Sequence, residues 1–87
     1  VELTTRQIEL ARHALGLPNR RRCSYRNHFV ADESHSDRPD WEEMVQKGAA
    51  RKHKVRWMVG DVFVLTPEGA RAALKTRERL DPEDFPK

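Results

Sequence analysis

The sequence predicts a small α+β domain of about three helices and a two-stranded antiparallel hairpin. Three observations predict it. Two segments, near residues 5–15 and 66–74, join a helix-capping signal to apolar residues at helical spacing. The stretch from Ala50 to Trp57 alternates with the period of a strand. Gly60-Asp61 then offers a turn before the β-branched and aromatic run Val62-Phe63-Val64-Leu65. With 87 residues the chain has the length of one domain, read as residues 1–80 followed by an extended tail, 81–87.

The first helix is signposted at both ends. Thr4 with Gln7 three residues on makes a capping box, and Leu3 and Ile8 have the spacing of a hydrophobic staple. Ile8, Ala11 and Leu15 recur on one face, widened by Leu10 and Ala14. Gly16 stops the helix and Pro18 forbids its continuation. Around Ser24–Val30 the one-turn spacing of Tyr25, Phe29 and Val30 fits a short helix, while the short aromatic run also fits a strand. Residues 32–37 read as a polar loop. A second helix follows, capped by Ser36 or Asp37, with Pro39 in its first turn and Trp41, Met44 and Val45 on one face. Gly48 ends it. Within Ala50–Trp57, Lys52, Lys54 and Arg56 share one face and His53, Val55 and Trp57 the other. Thr66 caps the last helix, Pro67 and Glu68 suit its first turn, and Ala70, Ala73 and Leu74 form its buried stripe. The two prolines after Asp81 predict an extended tail, with Phe85 tucked onto the body.

Composition narrows the function classes. Hydrophobic residues make up 37% of the chain, so the core is small and the six aromatics (Tyr25, Phe29, Trp41, Trp57, Phe63, Phe85) are expected to supply much of it. A single cysteine, Cys23, excludes an intrachain disulfide and fits a reducing cytoplasm. No apolar run is long enough to span a bilayer, and no basic stretch followed by an apolar one opens the chain as a signal peptide would. The 17 Lys and Arg exceed the 14 Asp and Glu by only three, so distribution says more than sum. The chain runs basic, acidic, basic: Arg20, Arg21, Arg22 and Arg26, then the acids from Asp32 to Glu43, then Lys47, Arg51, Lys52, Lys54 and Arg56.

From Trp41 onward the order of elements resembles the second half of a winged-helix domain. A helix leads through Lys47-Gly48 into a basic strand, a turn, a second strand and the sequence Phe63-Val64-Leu65-Thr66-Pro67-Glu68-Gly69 that opens a helix. This arrangement is similar to that of bacterial winged-helix regulators of the multiple-antibiotic-resistance and phenolic-acid families. It covers about half the chain. The segment Tyr25-Arg26-Asn27-His28-Phe29 with its following polar loop also resembles small proteins of tailed phages and prophages. The resemblance implies a winged-helix-like fold in a bacterial or phage setting. In a DNA-reading winged helix the helix before the wing enters the major groove. Here that helix begins Asp37-Arg38-Pro39-Asp40-Trp41-Glu42-Glu43, and its acids would face phosphates.

The expected function is therefore non-enzymatic binding. Arg51, Lys52, Lys54 and Arg56 on the wing, with Arg20, Arg21, Arg22 and Arg26, are the candidates for phosphate contact. The competing reading of the wing is a solvated edge strand guarded by lysines. A protein partner is the alternative, bound by Asp40 and Glu43 of the acidic helix together with Trp57 and Met58, as in an inhibitor or assembly protein; a homodimer is a third arrangement. Trp57 reads either as an exposed anchor or as a core residue folded onto Trp41 and Phe63. Cys23, His28 and His35 have no standard zinc spacing, so neither a metal nor a cofactor is expected. Nothing in the chain assembles a nucleophile, base and oxyanion site, so no catalytic residue is assigned.

Overall fold

The computed structural model describes residues 1–85. Its elements run α1 (Thr5–Leu15), β1 (Phe29–Ala31), α2 (Arg38–Gln46), β2 (Ala50–Lys54), β3 (Asp61–Leu65) and α3 (Pro67–Ala72). The class is α+β with three helices, as expected, but the sheet has three antiparallel strands rather than two, in the order β1-β3-β2. Phe29 to Ala31 supply the third strand, so the local choice at Ser24–Val30 falls to the strand reading. Three residues cannot show a period, and only pairing with β3 makes them a strand.

Local chemistry fixes the helices where the sequence places them. Thr4 Oγ1 accepts from the Gln7 amide at 3.1 Å, and the Gln7 side chain accepts from the Thr4 amide at 3.0 Å. Gly16 closes α1 in the left-handed region, φ 81°, a conformation that disfavours any residue with a Cβ. Thr66 Oγ1 accepts from the Gly69 amide and caps α3. Asp37 stands at the start of α2 without a capping bond, because its carboxylate accepts instead from Arg6 at 2.7 Å.

The core lies between the helices and one face of the sheet. Phe29, Trp41 and Phe63 stack in sequence at 5.2 and 5.6 Å between ring centroids, with Trp41 and Phe63 fully buried. Leu10, Leu15 and Met44 pack around them. Two expected core aromatics are not there: Tyr25 is 60% and Trp57 83% exposed. Burying a Trp stabilises a small domain, but Trp57 sits in a loop beyond the end of β2, out of reach of the core. The tail expected to be extended turns back instead. The Phe85 amide donates to the Asp81 carbonyl, and Leu80 and Phe85 pack on the core, the latter as expected. Pro86 and Lys87 of that tail lie outside the described residues.

One ion pair is buried outright. The Arg12 guanidinium grips Glu78 with two N–H groups, one at 2.8 Å, and also donates to the Ala73 carbonyl at 2.9 Å. Both side chains are over nine-tenths buried. The Arg12 hydrogen bond holds the Glu78 carboxyl at about 2, against an ordinary 4.5. Its stabilisation is complete above the ordinary value and disappears as pH falls through about 2. Glu78→Gln should thus lower the unfolding free energy near neutral pH by on the order of 3 kcal/mol. It should also flatten the loss of stability below pH 4.5 seen in the parent chain, as urea unfolding across a pH series would measure.

Candidate nucleic-acid interface

Strand β2 leaves the body at Ala50, pairs with β3 through Lys54, and continues into a loop, residues 55–60, before β3 begins at Asp61. The register assigns its faces. Ala50, Lys52 and Lys54 lie opposite Leu65, Phe63 and Asp61. Phe63 is buried against Trp41 of α2, so these three residues share the α2 side of the sheet. Arg51 and His53 lie opposite Val64 and Val62 on the other side, where Val30 of β1 continues the row.

The lysine face is consequently turned toward acids. Lys52 Nζ contacts Glu42 at 3.2 Å. Lys54 borders a concavity shared with Asp32, Glu33 and Asp61. Lys52 and Lys54 do share a face, as expected, but Lys52 is engaged by Glu42, whereas Lys54 is exposed and enters no ion pair among the described residues. The period of a strand separates two faces but does not tell which of them a helix covers. Arg51, on the opposite face, and Arg56, in the loop, are exposed and enter no ion pair among the described residues.

The tip is apolar as well as cationic. Trp57 is 83% and Val59 88% exposed, and Met58, half-buried, is held by its amide bond to the Val55 carbonyl. The core reading of Trp57 is thereby overturned.

The acidic helix is engaged internally. Glu43 accepts from the Gln7 side chain at 2.9 Å and from Lys47 at 3.1 Å, and the Gln7 bond, then Lys47, lowers its pKa. Asp40 accepts from the same Gln7 amide at 3.4 Å. Glu42 lies between Arg38 and Lys52. Asp40 and Glu43, expected to meet a partner, thus also accept bonds from the chain itself, with the Glu43 side chain still more than half exposed.

Of the first basic cluster, Arg20, Arg21 and Arg22 are exposed in the turn after α1. Arg26 is half-buried, donates to the His13 carbonyl at 2.7 Å, lies over the Tyr25 ring and enters no ion pair among the described residues. The structure does not gather the two clusters into one patch. The ladder runs from Lys54↔Asp61 near the loop to Ala50↔Leu65 at its root, and α3 and the turn 75–78 follow from the root.

Arg38 is the residue that sequence reasoning passed over. It donates to Asp61 at 2.6 Å, to the Ala31 carbonyl at 3.0 Å and to Glu42 at 3.2 Å, and its guanidinium lies 5.6 Å from the Phe63 ring centroid. This bonding lowers the Asp61 pKa, chiefly through the Arg38 hydrogen bond. Its one signal in the sequence is a lone arginine inside an acidic run. Among the described residues no group of His, Cys, Asp and Glu is arranged to hold a metal ion, and no helix is long and apolar enough to cross a membrane. Comparison with family models, curated proteins and solved structures finds no match.

The two tryptophans should respond oppositely to truncation. Trp57→Ala should change the unfolding free energy by less than about 0.5 kcal/mol, as for an exposed side chain. Trp41→Ala should cost about 3–5 kcal/mol, as for a filled core position. Urea titration of both variants measures the difference.

Proposed function

We propose that the chain is a non-enzymatic nucleic-acid-binding module whose contact surface is the β2–β3 finger. The observation that carries this reading is Trp57, 83% exposed beside the unpaired Arg56. A tryptophan next to an arginine suits a base: the indole stacks on an unpaired base face while the guanidinium neutralises a flanking phosphate. Arg51 and Arg56 supply charge without disturbing the fold, and Lys54 adds to them at the ladder's end. Lys52 is assigned no contact, since Glu42 already holds it. The fold is read as a winged-helix variant. Its hairpin follows a helix through Gly48, as the resemblance implies, and α2, with its acids satisfied internally, is a support for the wing rather than a reading head. Stacking favours single-stranded over fully paired substrate.

A second reading rests on Val59, which adds 88% exposed apolar surface beside Trp57. Such a pair suits a hydrophobic pocket on another protein. Salt separates the two readings, because burial of apolar surface survives ionic strength and phosphate contact does not.

Addition of a single-stranded oligonucleotide at low salt should quench the tryptophan emission, and Trp57→Ala should abolish the quench. The logarithm of affinity should fall against the logarithm of salt with a slope of about −2, the value for three phosphates on a single strand. Arg56→Ser should reduce that slope. Absence of any quench at low ionic strength would refute nucleic-acid binding by the finger.

A further inference from the structure

The turn after α1 and the turn after α3 meet at a place that shares no lining residue with the finger. They are stitched together by backbone. The Arg79 amide donates to the Arg22 carbonyl at 2.9 Å, and the Ser24 amide to the Arg79 carbonyl at 3.0 Å. Asn19 braces the first turn, donating to the carbonyls of Gly16 and Cys23 at 3.0 and 2.8 Å. Between the turns lies an open concavity of about 500 Å³. Four cations line it: Arg12, Arg22, Lys75 and Arg77.

The only carboxylate in that lining is Glu78, and it is fully committed. It accepts both guanidinium bonds of Arg12 and a further bond from the Lys75 amide at 2.7 Å. Arg22, Lys75 and Arg77 are exposed and enter no ion pair among the described residues. The concavity thus brings three uncompensated cations, from segments more than fifty residues apart in the chain, to one place.

The backbone adds a second, independent observation. Arg22 and Arg77 are the only described non-glycine residues with positive φ, 55° and 70°, and both line this concavity. A left-handed backbone opposes any residue with a Cβ, and glycine would adopt it freely. Strained backbone of this kind gathers at ligand clamps. Here the strain coincides with the charge the concavity presents.

We propose that the concavity between the turns at 19–22 and 75–78 is a phosphate site, in which Arg22, Lys75 and Arg77 clasp a phosphate or pyrophosphate group. Two guanidinium forks and an ammonium suit the several oxygens of that ligand. The site is independent of the finger and stands whether or not the finger binds nucleic acid.

The test is a titration of the whole chain with inorganic pyrophosphate at constant ionic strength, followed by backbone amide NMR shifts, with sodium chloride as the control. Saturable shifts at Arg22, Lys75 and Arg77 are expected. A parallel titration with a short oligonucleotide identifies the source: shifts of the same amides there assign the phosphate to nucleic acid, and their restriction to pyrophosphate assigns it to a free ligand. Arg22→Gly and Arg77→Gly relax the backbone while removing the charge. Each should hold or raise the melting temperature and weaken pyrophosphate by about tenfold. Arg56→Ser on the finger should leave pyrophosphate affinity unchanged. Shifts that match those in chloride, affinity retained in the Arg22→Gly, Arg77→Gly double variant, or affinity lost in Arg56→Ser would each overturn the proposal.

Discussion

The arrangement depends on one guanidinium. Arg38 begins α2, and its side chain reaches the end of β1 through Ala31 and the start of β3 through Asp61. Asp61 is 8% exposed, so without Arg38 its charge would be stranded in the protein. Strand β1 offers only three residues of pairing. The same Arg38 group lies near Phe63, whose ring supports Trp41. It therefore ties the first turn of α2 to the pair Ala31↔Asp61 at the end of the β1–β3 ladder.

The alternation of charge along the sequence becomes a set of internal pairs in the fold. Acids of the 37–43 stretch are taken by Arg6, Gln7, Arg38, Lys47 and Lys52, which come from α1, α2 and β2. The described residues that enter no ion pair include Arg51, Lys54 and Arg56 of the finger and Arg22, Lys75 and Arg77 around the turns after α1 and α3, together with acids such as Glu33, Glu83 and Asp84. A net charge of only +3 then understates the local field a polyanion would meet.

Helices α1 and α3 were legible because their signals are local. A capping box, an αL glycine and a Thr-Pro-Glu start each act within one turn of chain, and the structure places them as the sequence indicates. Strand β1 was not legible, since its partner lies some thirty residues away and Asn27 completes the edge with a side chain: its amide exchanges two hydrogen bonds with Leu65. The hairpin's existence could be read from Lys52 to Leu65, but the direction of its lysines could not. That direction depends on which face α2 covers, a tertiary fact. The clustering of Arg22 with Lys75 and Arg77 was hidden for the same reason, and so was the Arg12–Glu78 pair. Trp57 shows the complementary failure: apolarity argues for burial, and only the length of the strand decides against it.

Gly69 lies where α3 begins to turn, and a Cβ there would collide with the carbonyl of Ala49 at the root of β2. Thr66 reinforces the seat, its hydroxyl donating to the Gly48 carbonyl at 2.7 Å and its amide to Ala49. The last helix thus rests directly on main chain, with no side chain between them to yield. In a molecule only 35 Å in its longest dimension, that seat leaves α3 no slack against the strand. A side chain at 69 would have to lift the helix off the strand, so α3 and the root of β2 shift together or not at all.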